Sequence, residues 1–127
     1  MSNRSRIEQL LHQLYAARVD GKLEPLCALF SENAQFRIAG TSDGKPIAIS
    51  ARGMREIRPW LSTLVKTFRL SEHEIVSLVI DADRAAVHWR AAIHSKITGA
   101  VVATEFVDLV STDQDRILSY TEFFVPS

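Results

Sequence analysis

Apolar residues recur at Ile7, Leu10, Leu11, Leu14 and Tyr15, the spacing of one face of an amphipathic helix. Ser5 with Glu8 three residues later reads as a capping box at its start, and Gly21 as its C-terminal stop. A short second helix is predicted with Leu23, Leu26, Cys27 and Phe30 on one face and Pro25 in its first turn, where a missing N–H costs little. The pattern then alternates: residues 34–39 predict a strand with Phe36 and Ile38 on one side, 40–46 carry turn chemistry, and 47–51 predict a returning strand. After Gly53, helical spacing resumes at Met54, Ile57, Leu61, Leu64, Val65 and Phe68, with Pro59 predicting a kink or a later start.

The second half has a period of two. Residues 75–80, 85–97, 100–111 and 116–125 are rich in β-branched and aromatic side chains, and turn signals at 81–83, Thr98-Gly99 and 112–115 separate them. Long strands on short turns predict an antiparallel meander. Three helices packed on one strongly curved, mainly antiparallel sheet give an α+β fold.

Composition narrows the function classes. The 127 residues fit one domain over 1–127, and 46% hydrophobic with 24% charged residues is a globular balance. Fifteen Lys+Arg against fifteen Asp+Glu leave no net charge, which argues against a nucleic-acid partner. No apolar run reaches the roughly 18 residues that span a bilayer, and Glu8, Gln9, His12 and Gln13 interrupt the first residues too often for a signal peptide. The lone Cys27, set among Leu26, Leu29 and Phe30, excludes an internal disulfide and reads as a buried thiol of a reducing compartment, so a cytoplasmic location is expected. No metal-ligand spacing, phosphate-cradling glycine loop or Ser-His-Asp pattern is present, so neither metal nor cofactor is expected.

The words GKLEPLCALFSENA (21–34), RAAVHW (84–89), Thr98-Gly99 and RILSYTEF (116–123) resemble the second helix, the start of the first strand and the last three strands of SnoaL-like proteins, a group within the nuclear-transport-factor-2-like superfamily. The resemblance covers essentially the whole chain. It implies a cone-shaped α+β barrel with a pocket between sheet and helices, and it leaves the activity open among isomerases, dehydratases, polyketide cyclases, epoxide hydrolases and non-enzymatic binders. The polar triad of ketosteroid isomerases is not matched, because Leu14, Ile38 and Phe106 occupy its positions, with Tyr15 one residue away. Scytalone-dehydratase-like members use a His–Asp dyad; the nearest residues here are His73, two residues from the matching Ser71, and Asp20, one residue off.

Strand pairing supplies candidate residues independently of the family. A two-residue hairpin at Thr98-Gly99 sets Trp89 opposite Asp108, Ala91 opposite Phe106 and Ile93 opposite Thr104 on the inner face. Setting Asp108 opposite Tyr120 and Phe106 opposite Glu122 then brings Asp108, Tyr120 and Glu122 to one wall with Trp89, Phe106 and Phe124, faced by Trp60 from the third helix. Burial and mutual repulsion should raise one carboxyl pKa, which suits Glu122 as the proton-transfer residue, Asp108 as its partner and Tyr120 as donor to an oxyanion. A structural reading stays open, in which Asp108 and Tyr120 merely satisfy each other.

Tyr15, Phe36, Ile38, Trp60, Trp89, Phe106 and Phe124 are the expected ligand contacts. On the outer face, Arg90, His94 and Glu105 should form an ionic cluster beside Val107 and Leu109, a surface for a homodimer. His88 and His94 are six residues apart on one strand, roughly 20 Å at about 3.3 Å per residue, too far to share a metal. The expected function is binding of a small, largely apolar molecule with cofactor-free acid–base catalysis of isomerase, cyclase or dehydratase type. The alternative is a non-catalytic binding or interaction module.

Overall fold

The computed structural model describes residues 3–126. Three helices, α1 (Asn3–Asp20), α2 (Leu23–Ala28) and α3 (Met54–Thr67), alternate with β1 (Phe30–Ser42) and β2 (Lys45–Arg52) before the meander β3 (Phe68–Asp81), β4 (Arg84–Ser95), β5 (Val101–Asp113) and β6 (Arg116–Pro126). The strands form one sheet in the order β2-β1-β6-β5-β4-β3, in which only β1 and β6 run parallel. The last strand thus inserts beside the first. The outermost strands β2 and β3 do not pair with each other, so the expected barrel is a curled sheet that stays open.

The helices cover one sheet face: α1 packs on β3, and α3 on β1, β2 and β3. The core lies between, built from Leu14, Leu26, Ile57, Leu61, Phe36, Val87, Trp89 and Ile117. Two local signals act as read. Gly21 (φ 67°) ends α1 with Lys22 N–H bonding the Ala17 carbonyl at 2.9 Å and Gly21 N–H the Arg18 carbonyl at 3.3 Å, a Schellman motif that needs a left-handed residue. Gly53 (φ 79°) turns the chain into α3.

Two local expectations are overturned, at Ser5 and at Phe68. α1 already includes Asn3, so Ser5 lies inside the helix and is no N-cap. α3 begins at Met54, directly after Gly53, and runs through Pro59; the carbonyl of Arg55, which Pro59 cannot bond, belongs to an exposed residue that water can serve. Phe68 opens β3 and does not close the helix.

Both hairpin registers differ from expectation by two residues. Between Ser95 and Ala100 the turn has four residues, 96–99, with Ser95 Oγ accepting from the N–H groups of Ile97 and Thr98 at 3.3 and 3.2 Å. Trp89 therefore pairs with Phe106, and Val87 with Asp108. In the next hairpin Asp108 pairs with Glu122, Phe106 with Phe124 and Val110 with Tyr120. A slip of two keeps every side chain on its face, so the inner wall survives the error. No helix among the described residues is long and apolar enough to cross a membrane.

One glycine is sterically required. A Cβ on Gly40 would lie 2.3 Å from the Phe124 carbonyl oxygen and 2.6 Å from its ring, where β1 runs beside β6. Gly40→Ala must push a backbone rather than a flexible tip, and a loss of about 1–3 kcal/mol is expected from chemical denaturation. An unchanged midpoint would show that the β1–β6 contact is looser than described.

Candidate functional site

The apolar stripe of α1 ends in a charge. Leu14, Tyr15 and Ala17 are buried and so is Arg18, which is only 7% exposed. Arg18 lies three and four residues beyond Tyr15 and Leu14, on the same helical face, so its guanidinium is carried onto the inner face of the sheet. There Nη1 forms an ion pair with Glu122 Oε1 and donates to Tyr120 OH at 3.3 Å. The guanidinium carbon also sits 5.2 Å from the Trp89 ring centroid.

Asp108 is the second charge centre and is fully buried. Three donors converge on its Oδ2: Tyr15 OH at 2.6 Å, Tyr120 OH at 2.7 Å and Trp89 Nε1 at 2.8 Å. Its Oδ1 has no partner among the described residues. The Tyr120 hydroxyl also lies 2.9 Å from Glu122 Oε1, so its one proton can serve either carboxylate. Stacking holds that ring in place: Phe36 is near-parallel to it at 5.8 Å and Phe30 edge-on at 6.0 Å.

The electrostatics follow from one cation facing two acids. Burial, followed by the negative field of Glu122, pushes the Asp108 carboxyl up to about 7. Burial and the neighbouring Asp108 push the Tyr15 phenol well above its ordinary value, and Tyr120 likewise. Arg18 is disfavoured by burial but held above its ordinary value by Glu122, so it stays charged. Near neutral pH the Asp108 carboxyl is therefore partly protonated.

His73 joins this cluster through a backbone irregularity. Opposite Ala91 of β4, β3 carries two residues, Glu72 and His73, with Glu72 in the left-handed region at φ 55°. The bulge reverses the facing of β3. Ser71 turns outward, where its Oγ lies 2.7 Å from His94 Nε2, while the His73 ring sits 5.0 Å from Tyr15 and 5.2 Å from Trp89. His73 is thus inward because parity with Ser71 is broken, not kept. Its Nε2 is buried without a partner among the described residues, and burial, then Arg18, lower its pKa.

The other expected site residues divide. Phe36, Ile38, Trp89 and Phe106 are buried, Trp89 and Phe106 as a stack at 3.7 Å, and Phe124 fills the space over Gly40. Trp60 does not face them. It is 39% exposed, because Ile57, Leu61 and Val65 form the buried stripe of α3 and Trp60 falls at its edge. Asp20 is exposed at the end of α1 and His73 Nε2 has no partner among the described residues, so no bond through that nitrogen makes the dyad. The outer ionic cluster is also rearranged: Glu105 approaches His88 at 3.4 Å, and His94 contacts Ser71 and Arg69. Two surface cavities, of about 520 and 340 Å³, lie along the strands and share Ser119 and Thr121; Asp108 lines neither, and Tyr120 lines the smaller.

Residues 11–120 match the family model described as a SnoaL-like domain. Among solved structures, a candidate isomerase from Bacillus subtilis superposes with a TM-score of 0.83 at 20% identity, covering 98% of this chain and 89% of that one. An NTF2-like protein from Burkholderia xenovorans LB400 gives 0.76 at 22% identity (98% and 92% covered), and an LEH-like epoxide hydrolase of M. tuberculosis 0.72 at 13% (94% and 83%). These likenesses show the fold. None of the curated proteins compared matches the chain.

A raised folded-state pKa has a stability consequence with a definite sign. Asp108 binds its proton more tightly folded than unfolded, so its contribution is full below about pH 4 and is lost as pH rises towards 7. Asp108→Asn should therefore gain stability relative to the natural chain between pH 4 and 8, on the order of 4 kcal/mol at about 1.4 kcal/mol per unit. Denaturant melts of both proteins across that range provide the check, and a constant difference would place the Asp108 titration elsewhere.

Proposed function

The chain belongs to the SnoaL-like domain family, and from that premise we propose that it binds a small, largely apolar molecule on the inner face of its sheet and moves a proton on it with its own side chains. One observation carries this reading: Asp108 is fully buried, has three donors on Oδ2 and none among the described residues on Oδ1, and is pushed up to about 7. A carboxylate held by one oxygen and bare on the other, titrating near neutrality, is suited to take a proton and return it.

The roles expected of the two acids exchange. Oε1 of Glu122 already takes Arg18 and approaches Tyr120, so Glu122 serves as counter-charge. Asp108 becomes the proton-transfer residue. Tyr15 and Tyr120 orient it, and Tyr120 can shift its proton between the two carboxylates as Asp108 changes charge. Structural neighbours include a candidate isomerase and an epoxide hydrolase, which agrees with acid–base chemistry on this scaffold.

Hydrogen–deuterium exchange at the α-carbon of cyclohexanone in D2O tests the proton transfer without a known substrate. The natural chain should accelerate it, with the rate rising through pH 7 as Asp108 ionises. Asp108→Asn should lower the protein-dependent rate by about a hundredfold or more. Equal rates for both proteins would contradict the reading. They would favour a binding module, an alternative supported by the way Arg18, Glu122 and Tyr120 satisfy one another.

The same reading includes a second copy of the chain on the outer face. Val107, Leu109, Phe123 and Val125 are exposed there on neighbouring strands, 40%, 46%, 37% and 52% respectively. Sedimentation should report a dimer that Val107→Asp with Leu109→Asp converts to a folded monomer; a monomeric natural chain would contradict it.

A further inference from the structure

Two buried polar atoms on the inner face lack partners among the described residues, Asp108 Oδ1 and His73 Nε2. Both adjoin the same two side chains. Oδ2 of Asp108 accepts from Tyr15 and Trp89, and the His73 ring lies 5.0 and 5.2 Å from those same rings. Neither atom reaches this position by accident of packing. Asp108 is anchored by three donors, and His73 is turned inward by a bulge that holds Glu72, which is not a glycine, in the left-handed region. Unpaired polar atoms are costly inside a protein, so a ligand that satisfies both is favoured over one that satisfies neither.

The charges around these atoms restrict what that ligand can be. Among the described residues the buried charged side chains are Arg18, Asp108 and Glu122, and Arg18 is already engaged by Glu122. An anion would add a further negative charge with no free cation to meet it. An ammonium is drawn to an ionised Asp108, but it only donates, so it leaves the Nε2–H of His73 unmet. It also faces the Arg18 charge that already reaches both residues, while the Trp89 faces are occupied by Phe106 at 3.7 Å and the Arg18 guanidinium carbon at 5.2 Å. Among uncharged groups, a ketone or ether oxygen only accepts, so it could serve His73 but leaves an ionised Asp108 bare. A hydroxyl does both: its O–H donates to Asp108 Oδ1 and its oxygen accepts from His73 Nε2 in the tautomer that carries the proton there.

We infer that the site selects an uncharged ligand whose hydroxyl bridges Asp108 Oδ1 and His73 Nε2, which makes His73 a specificity residue. This rests on the reading of Asp108 as the ligand-facing acid. It assigns to His73 a hydrogen bond, not the dyad with Asp20.

Three probes with equal numbers of heavy atoms separate the possibilities: propan-2-ol, acetate and propan-2-amine. Their binding can be followed at pH 8 by the indole N–H resonance of Trp89, with that of the exposed Trp60 as internal control. Propan-2-ol should shift Trp89 saturably, and acetate and propan-2-amine should bind at least tenfold more weakly. His73→Leu should weaken propan-2-ol about tenfold, and His73→Gln, which keeps a donor, should recover most of that loss. Acetate or propan-2-amine binding as tightly as propan-2-ol overturns the inference while leaving Asp108 as the ligand-facing acid. Unchanged propan-2-ol affinity in His73→Leu removes His73 from the site. A Trp89 resonance that no probe moves overturns both this inference and the reading beneath it.

Discussion

A guanidinium buried against an aromatic wall is the constraint around which the inner face is organised. Arg18 cannot leave its charge behind, because its pKa lies far above any working pH. Burying it unpaired would cost several kcal/mol, so the sheet must present an acid where α1 delivers it. Glu122 is that acid, at 2% exposure on the strand that inserts between β1 and β5. The insertion of β6 into the centre of the sheet is therefore tied to the helix across the core. Removing either charge would leave the other stranded.

The same constraint sets the chemistry of Asp108. With Arg18 committed to Glu122, a second carboxylate in the same interior has hydrogen bonds but no cation of its own. Tyr15, Tyr120 and Trp89 supply those bonds, which favour ionisation, while burial and Glu122 oppose it. Burial and the like charge win, and the result is a carboxyl poised near neutral pH rather than at its ordinary value of 3.8. The two tyrosines cannot replace it as a base, because burial and the neighbouring Asp108 keep their phenols protonated.

Much of this was legible in the residues. Alternation in the last three strands was enough to bring Asp108, Tyr120 and Glu122 to one wall, because both register errors were of two residues and alternation is blind to them. The same blindness works against β3. There the bulge at Glu72 and His73 breaks parity, and nothing in the local pattern announces a left-handed glutamate. Arg18 was missed although its signal was present: it continues the i, i+3, i+4 series of Leu11, Leu14 and Tyr15, and a charge on an apolar stripe asks for a buried partner. Trp60 shows the opposite failure, since size and aromaticity suggested the core while its angular position on α3 put it at the edge. Four-residue turns, bulges and helix rotation depend on tertiary contacts, so spacing alone does not determine them.

Asp108 shares its interior with a neutralised arginine–glutamate pair and therefore titrates near neutrality. Carbon-13 NMR of the side-chain carboxyls, followed from pH 3 to pH 9, measures this directly. A midpoint near 7 for Asp108, accompanied by a shift of the Trp89 indole proton that donates to it, is the predicted result. A midpoint below about 4 would contradict it, because three hydrogen bonds would then outweigh burial, and Asp108 would be a fixed structural anion.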